Sequence, residues 1–316
     1  MLKPAFARAI VITTLIGSLI AGCARATPPR KPAPPAPGRE PTISLYINET
    51  GEKKNIKLED YVAGVVAAEM EPSWPVNALA AQAILARTFT MENIKAGRVK
   101  KLHGTDASTS VQEFQAYNPS RINDNVRQAV ARTRGEVVMY KGDYIKAWFN
   151  ACDGGVSASA AEGLAYTKTP TPYVRAGARD NCLSITTPEN RHWERRIPLE
   201  QVRAAVKKIT GQDPGPITSV RIVRRGPSGR AMHLQVGTVT VSGPALRLAL
   251  GSEWVRSMLL TSARVEGNAL VLTGKGFGHG VGMCQWGARL LAQKGRSPED
   301  IIRFYFKDVE IRKLWQ

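Results

Sequence analysis

Apolar and polar residues follow two regular patterns along this chain. Ile43, Leu45 and Ile47 occupy every second position, which predicts a β-strand. Further on, apolar side chains recur at intervals of three and four residues, which predicts a short helix over residues 59–68. An alanine-rich run then predicts a second helix over residues 76–95, after the loop that contains Pro72 and Pro75. The first part of the chain is therefore expected to fold as a strand followed by two helices.

The remaining pattern mixes hairpins with helices. Lys141-Gly142-Asp143 predicts a turn between strands over 137–140 and 144–149, and residues 150–192, rich in Gly, Pro, Thr and Asn, predict a long pinned loop. Further elements are predicted at 199–209 (helix), 217–223 and 231–236 (hairpin), 255–265 and 268–273 (strands), 283–294 (helix) and after Ser297-Pro298 (helix). Because helices and strands do not alternate regularly, the pattern predicts an α+β fold, with mixed helices and antiparallel hairpins around a substrate cleft.

The N-terminal segment resembles an export signal. Lys3 and Arg8 precede Ala9–Gly22, fourteen residues without a charge, which is shorter than the roughly 20 apolar residues that span a bilayer. Small residues immediately before Cys23 resemble a bacterial lipobox, in which the cysteine is lipidated after cleavage. We expect residues 1–22 to be a lipoprotein signal peptide, Cys23 to be the lipidation site, and the protein to be an exported, membrane-anchored lipoprotein. An ordinary signal peptide with an incidental cysteine is the alternative.

A proline-rich segment follows the signal. Seven of the 20 prolines lie between Pro28 and Pro41, which predicts a semi-rigid polyproline tether over residues 23–41. The folded domain is then expected to occupy residues 42–316.

Composition and charge narrow the choice of partner. Apolar residues make up 43% and charged residues 22% of the 316 residues, which excludes a disordered chain, a collagen and a multi-span membrane protein. The net charge of +18 favours polyanions: nucleic acid, anionic lipid headgroups or acidic envelope polymers. An exported location disfavours nucleic acid, and no zinc-finger or RNA-binding pattern is present in the sequence. We therefore expect a cell-envelope polymer or the membrane as partner, and no nucleic acid.

Glu69 is the first candidate for chemistry. It follows an almost wholly apolar run over residues 61–68. Burial in such surroundings disfavours the charged form of a carboxyl group and raises its pKa, which suits a general acid. The alternatives are a solvent-exposed glutamate at a helix end, or an ion-pair partner for Arg87.

Two further segments offer polar side chains. Gln82 and Arg87 are the large polar residues of the alanine-rich helix, and they could brace Glu69, bind sugar hydroxyls or lie at the surface. Later, glycines at alternate positions from 274 to 282 lie between a predicted strand and a predicted helix, but their spacing does not fit a dinucleotide-binding motif. Such a segment allows unusual backbone dihedrals close to a ligand, with His279 and Gln285 as its polar side chains.

These segments together resemble one family. The resemblance to the SpoIID/LytB family is carried by Leu58–Phe89, Gln115-Ala116-Tyr117, Phe149–Gly155, Ser242–Arg247 and Gly276–Ala288, and it covers nearly all of residues 43–316. It implies peptidoglycan as substrate, and lytic transglycosylase activity on glycan strands without stem peptides. The family's catalytic glutamate matches Glu69, and the substrate-binding candidates become Gln82, Arg87, Tyr117, His279 and Gln285.

The resemblance leaves two functions open. A lytic transglycosylase can work with one carboxyl group, and the nearest others, Glu71 and Asp106, are not compelling as a second acid. The alternative is a non-catalytic peptidoglycan-binding module that stimulates a cell-wall amidase. Some sporulation members bind zinc just before the segment that matches Gln115-Ala116-Tyr117. Here residues 108–114 contain neither Cys nor His, so the resemblance implies no metal there and no cofactor.

The three cysteines after Cys23 allow one intramolecular bond. Cys152 and Cys182 flank the long loop, and in an oxidising compartment we expect a disulfide between them that leaves Cys284 as a free thiol. The competing hypothesis is a zinc site that uses all three cysteines, with His279 as a further ligand.

Overall fold

The computed structural model describes residues 38–316, so the predicted signal peptide, Cys23 and most of the tether lie outside the described residues. Within this range no helix has the length and apolar character needed to cross a membrane. Residues 38–316 contain ten α-helices: α1 (Leu58–Glu69), α2 (Val76–Ala96), α3 (Arg98–His103), α4 (Asp124–Arg132), α5 (Ala160–Leu164), α6 (Pro188–Arg191), α7 (Leu199–Thr210), α8 (Gly243–Ala249), α9 (Gln285–Gln293) and α10 (Pro298–Tyr305).

The strands form small sheets rather than one large sheet. They are β1 (Thr42–Tyr46), β2 (Lys53–Lys57), β3 (Ala107–Ser108), β4 (Glu136–Tyr140), β5 (Asp143–Tyr144), β6 (Phe149–Asn150), β7 (Trp193–Pro198), β8 (Val220–Arg225), β9 (Ala231–Val236), β10 (Val239–Ser242), β11 (Leu260–Glu266), β12 (Ala269–Gly274), β13 (Met283–Cys284) and β14 (Glu310–Lys313). Their orders are β2-β1-β3, β10-β9-β8, β11-β12-β7, β13-β6 and β14-β4-β5, with β1-β3 and β13-β6 parallel. This mixture confirms the predicted α+β class.

Two hydrophobic cores lie within one compact unit. The first core contains residues from 43 to 182 and again from 281 to 315, and it surrounds α1 and α2. The second core is built from residues 193–272 and packs α7 and α8 against the sheets of β7 to β12. The chain therefore leaves the first core, forms the second and returns.

The first described residues belong to the domain rather than to a free tether. The amide of Gly38 donates to the carbonyl of Leu314 (2.7 Å), and Leu58 donates to the carbonyl of Pro41 (3.0 Å). The carboxylate of Glu40 accepts from the amide of Glu59 at 3.0 Å. Residues 38–41, which the sequence assigns to the tether, are thus held against the domain.

The two helices predicted near the N-terminus are present. α1 is apolar on nearly all sides, as expected of a helix buried in a core, and α2 packs against it. α1 ends at Glu69 because Met70 adopts an extended conformation, and α2 ends at Gly97, whose φ of 64° is left-handed. This packing fixes the position of Glu69.

Long-range pairing changes part of the predicted pattern. The second strand of the first predicted hairpin is reduced to β5, because Phe149 and Asn150 pair with Met283 and Cys284 instead. For the same reason the helix predicted from residue 283 begins at Gln285. The strand predicted from residue 255 begins at Leu260, where its pairing with β12 begins.

Five helices, α3, α4, α5, α6 and α8, have no counterpart in the prediction, and α5 and α6 interrupt the region predicted as a long loop. Both α4 and α8 begin at a residue whose side chain accepts a hydrogen bond from a backbone amide of the first turn. Asn123 accepts from the amide of Val126 at 3.1 Å, and Ser242 accepts from the amide of Ala245 at 3.5 Å.

Candidate functional site

A cleft of about 480 Å³ contains Glu69 and lies between the two cores. One wall comes from the first core and the other from α8 and the loop that follows it. The lining residues are Glu69, Val111, Phe149, Asn150, Ala151, Arg247, Leu248, Ser252, Glu253, Phe277, Gly278, His279 and Gln285. A cleft is therefore present, and it contains three of the predicted site residues: Glu69, His279 and Gln285.

The carboxyl group of Glu69 is partly buried at the C-terminal end of α1. The backbone amide of Ala116 donates a hydrogen bond to its Oε1 atom at 2.9 Å. Burial raises the pKa of Glu69 above its usual range, and hydrogen bonds from Ala116 and Gln285 oppose that rise. Glu69, which faces the cleft, therefore keeps its proton to a higher pH than an exposed glutamate does.

Gln285 and Gln82 form a pair behind the carboxyl group. Gln285 is the first residue of α9, and its side-chain amide donates to Oε1 of Gln82 at 3.4 Å. Gln82 is fully buried in α2 and does not line the cleft. The structure therefore places Gln285 in the site, whereas Gln82 supports it from the interior.

Arg87 lies in the core, which corrects the prediction that it binds substrate. Its side chain is fully buried and pairs with Glu59 through hydrogen bonds of 3.0 Å (Nε) and 2.6 Å (Nη2). Glu59 also accepts from the indole of Trp315 at 2.7 Å. Because its guanidinium is occupied by this network, Arg87 stabilises the first core and does not reach the cleft.

The glycine-rich segment has the unusual dihedrals that its sequence predicted. Gly276, Gly278, Gly280 and Gly282 all have positive φ angles, between 73° and 113°. The resulting path curls the backbone around His279, whose Nδ1 accepts from the amide of Val281 at 3.0 Å.

His279 is a neutral side chain in this position. Burial, with the nearby positive charges of Arg247 and Arg230, lowers its pKa to about 3, although a hydrogen bond with the backbone of Phe149 opposes that shift. Because Nδ1 already accepts a hydrogen bond, the ring proton resides on Nε2. His279 is therefore a hydrogen-bond donor rather than a cation or a general base at neutral pH.

Tyr117 lies beside α1 and does not line the cleft. Its ring is half-buried, stacks on Tyr61 with a centroid separation of 5.4 Å, and covers Gly64 so closely that a β-carbon there would lie 2.3 Å from it. This packing orients the segment that presents the amide of Ala116 to Glu69. The role of Tyr117 as a substrate contact stays a prediction.

Among the lining residues that were not selected from the sequence, Asn150, Arg247 and Glu253 carry an amide or a charged side chain. Oδ1 of Asn150 is buried and has no hydrogen-bond partner among residues 38–316. Burial lowers the pKa of Arg247 to about 10, so this side chain still carries its charge at neutral pH. Asn150 and Arg247 lie in segments that carry the family resemblance, which is the signal that could have identified them. Glu253 is exposed in a loop and has no local pattern.

The other carboxylates considered from the sequence lie elsewhere. Glu71 is exposed and pairs with Arg121 at 2.9 Å. Asp106 accepts hydrogen bonds from the amide and hydroxyl of Ser44, at 2.9 and 2.8 Å. Within the described part of the chain, Glu253 is thus the carboxylate that shares the cleft with Glu69.

The three cysteines meet in one buried cluster. Cys152, Cys182 and Cys284 are free thiols whose sulfur atoms lie within 4.8 Å of one another. The 3.5 Å between Sγ of Cys152 and Sγ of Cys182 exceeds the roughly 2.05 Å of a disulfide bond. The expected disulfide is therefore not formed in this structure, and Cys284 joins the pair instead of standing apart. His279 does not belong to the cluster found among residues 38–316.

Comparison with known families matches two separate regions. The family described as Stage II sporulation protein (SpoIID) matches residues 46–140, which include α1, α2 and Glu69. The family described as Domain of unknown function (DUF8618) matches residues 181–282, which include the whole second core. The cleft thus lies between two regions that are matched separately.

Individual relatives extend over most of the chain. An uncharacterized protein of Brachyspira hyodysenteriae is 34% identical over 268 residues, which are 84% of this chain and 68% of the relative. Stage II sporulation protein D of Bacillus amyloliquefaciens is 31% identical over 303 residues, 87% of this chain and 81% of the relative. The Amidase enhancer of Bacillus subtilis is 27% identical over 289 residues, 77% of this chain but only 39% of the relative. Stage II sporulation protein D is similar to most of this chain, and the SpoIID family matches the region around Glu69. The chain therefore belongs to the SpoIID family.

Proposed function

We propose that this protein acts on peptidoglycan and cleaves its glycan strands as a lytic transglycosylase, with Glu69 as the acid and base. The observation that carries the proposal is the position of Glu69: a partly buried carboxyl group with a raised pKa, facing a cleft between two cores. A group that holds its proton in this way can donate it to a leaving oxygen. The names of the related proteins, Stage II sporulation protein D and Amidase enhancer, support a substrate in the cell wall.

The reaction needs one carboxyl group and no water. Glu69 donates its proton to the glycosidic oxygen, and the bond between that oxygen and the muramic acid C1 breaks. The resulting carboxylate accepts the proton of the C6 hydroxyl, and O6 then bonds to C1 to give a 1,6-anhydro ring. Glu69 ends the cycle protonated, as it began. The hydrogen bond from Ala116 to Oε1 leaves Oε2 as the atom that carries the proton.

The other cleft residues suit a peptide-free glycan. Oδ1 of Asn150 can accept from an N-acetyl N–H, and Nε2 of His279 can donate to a carbonyl or hydroxyl oxygen. Arg247 adds a positive charge, which favours the free carboxylate that muramic acid carries when its stem peptide has been removed. These groups provide recognition, while Glu69 provides the proton.

The experiment compares two variants on peptidoglycan that an amidase has stripped of peptides. Glu69→Gln keeps the shape of the side chain and removes its proton, and should lower the rate by about 10²–10⁴-fold. Glu71→Gln makes the same chemical change two residues away, on an exposed side chain outside the cleft, and should retain activity. Mass spectrometry identifies the products by their anhydro-muramic ends. Unchanged cleavage by folded Glu69→Gln protein would refute the assignment.

A second function is supported by the similarity to the Amidase enhancer. In that case the cleft binds glycan and the protein stimulates a separate cell-wall amidase. The same two variants distinguish the alternatives, because glycan binding does not require the proton of Glu69. Stimulation of an amidase by Glu69→Gln protein at the wild-type level, with no anhydro products from either protein, would favour the enhancer.

We also propose that the protein is exported and held at the membrane by lipid on Cys23. The wild-type protein should partition into detergent, and Cys23→Ser should release or misprocess it. Mass spectrometry of the mature N-terminus decides the point: an unmodified N-terminus at another residue contradicts the proposal.

A further inference from the structure

Three buried thiols from distant parts of the chain meet behind the cleft. Cys152 follows β6, Cys182 begins a short 3₁₀ helix over Cys182–Ser184, and Cys284 precedes α9. Their relative exposures are 1%, 0% and 0%. Neither the lytic reaction nor the enhancer function uses these groups, so their convergence calls for a separate explanation.

The sulfur separations fit a tetrahedral metal site. A zinc–sulfur bond is about 2.3 Å long, so two thiolates on one tetrahedral zinc ion lie about 3.8 Å apart. Cys152 and Cys182 are 3.5 Å apart, and all three sulfurs lie within 4.8 Å of one another. A single disulfide accounts for two of the sulfurs and gives no reason for the third.

Two of the hydrogen bonds of Cys284 suit a thiolate, whereas in a third its Sγ donates to the carbonyl of Ala151 at 3.8 Å. Its Sγ atom accepts from the backbone amide of Asp153 at 3.4 Å and from that of Gly287 at 3.3 Å. Amides that donate to a metal-bound sulfur fix its orientation and disperse its negative charge.

Asp153 offers a fourth ligand, a carboxylate oxygen. Two aspartates, Asp153 and Asp180, have a carboxylate oxygen within 4.8 Å of Sγ of Cys182 and Cys284. Both oxygens of Asp180 are engaged, by the amide of Cys182 (2.9 Å) and the hydroxyl of Tyr305 (2.6 Å). Oδ2 of Asp153, in contrast, is buried without a hydrogen-bond partner among residues 38–316. A buried carboxylate oxygen without a partner is costly unless a cation or a donor is present.

We propose that Cys152, Cys182, Cys284 and Asp153 bind one structural zinc ion. Four protein ligands close the coordination sphere, which is the arrangement of structural rather than catalytic zinc. Arg230, which donates to the backbone carbonyl of Asp153 at 2.6 Å, offsets part of the remaining negative charge. The ion joins β6, the long loop and the start of α9. The ion thereby fixes Asn150 and Gln285, which both line the cleft. Asn150 lies two residues before Cys152, and Gln285 directly follows Cys284.

The test uses the full chain with Cys23→Ser, so that only the three clustered thiols are counted, purified without chelator. Zinc is measured by mass spectrometry, and about one ion per chain is expected. Replacement by Co²⁺ should give the thiolate-to-cobalt charge-transfer band and the intense visible bands of a tetrahedral site. Intact mass after alkylation of the denatured, unreduced protein counts the free thiols, and three are expected.

Variants separate loss of a ligand from loss of fold. Cys284→Ser and Cys152→Ser should lower the zinc content roughly tenfold or more. Ser157→Ala is the matched control, because Ser157 is buried in the same loop, bonded to the carbonyl of Arg175 (2.6 Å) and the amide of Ala178 (2.9 Å), but offers no ligand. It should keep its zinc. Glu69→Gln should also keep its zinc, so failure of the proposed function leaves this result intact.

Three outcomes overturn the proposal. The first is a metal-free chain with three alkylated thiols that gives no cobalt spectrum. The second is a chain that lacks two hydrogens and has one alkylated thiol, which shows one disulfide among the three cysteines. The third is zinc retained in full by both cysteine variants. The first two outcomes are measured on protein that keeps all three clustered cysteines. They therefore test the zinc site even if the cysteine variants do not fold.

Discussion

The backbone amide of Ala116 donates a 2.9 Å hydrogen bond to the carboxyl group of Glu69, 47 residues earlier in the chain. This contact stabilises the charged carboxylate, whereas burial stabilises the acid. The balance of the two sets the pH at which Glu69 loses its proton, and burial outweighs the hydrogen bonds. The proposed reaction needs both forms in succession, the acid first and the carboxylate second. Because burial favours the acid and the hydrogen bonds favour the carboxylate, Glu69 can take both forms during that cycle.

The first prediction concerns the pH profile. Cleavage requires protonated Glu69, so kcat/KM should fall as pH rises through its raised pKa. Gln285 favours the charged form, so Gln285→Leu should raise the pKa of Glu69 further and move this decline to higher pH. Gln128→Leu, the same change on the exposed face of α4, should leave the profile in place. A shift to lower pH in Gln285→Leu contradicts the assignment.

The second prediction concerns Glu253, the other carboxylate of the cleft. A transglycosylase with one acid needs no second carboxylate, so Glu253→Gln should lower the rate less than about tenfold and leave anhydro products in place. A hydrolase that uses two carboxylates behaves differently. A loss equal to that of Glu69→Gln, together with reducing ends derived from water, identifies that mechanism.

A third prediction follows from the burial of Arg87. Arg87→Met leaves Glu59 charged and buried with only part of its hydrogen bonds, and should lower the free energy of unfolding by about 3–5 kcal/mol. Arg203→Met removes a comparable two-bond pair with Asp213 at the surface, where solvent screens the charges, and should change stability little. Denaturant unfolding measures both. Equal stability of the two variants means that the Arg87 pair is not a core interaction.

The fourth prediction compares two glycines with similar backbone conformation. Gly282 and Gly295 have φ angles of 73° and 79°. A β-carbon at Gly282 would lie 2.0 Å from the carbonyl oxygen of Trp148, whereas none of the described residues lies within 4 Å of one at Gly295. In both alanine variants the left-handed backbone conformation costs about 1–2 kcal/mol of stability. Gly282→Ala should lose a further 1–3 kcal/mol or more, roughly the cost of overpacking, because β6 and β13 must separate. Thermal unfolding of the two variants tests this difference.

Local sequence determined what could be predicted here. The apolar run before Glu69 and the periodicity of α1 and α2 are local signals, and they located both helices and the partly buried glutamate at the end of the first. The partner of Arg87 was missed because Glu59 lies 28 residues away, and nothing in either helix specifies that they meet. The contact between Cys284 and the other two cysteines depends on the parallel pairing of β6 with β13, which has no local signature. Asn150 and Glu253 enter the cleft through such distant contacts as well.

The return of the chain to the first core has a consequence for the order of folding. β14 pairs with β4, and the indole of Trp315 donates to Glu59, a residue 256 positions earlier. During synthesis from the N-terminus, this core therefore lacks one wall until residues 310–315 have been added. The second core draws only on residues 193–272 and has all its parts earlier. Because closing long loops is slow, the region that holds Glu69 should be the last to become protected from proteolysis during synthesis and refolding.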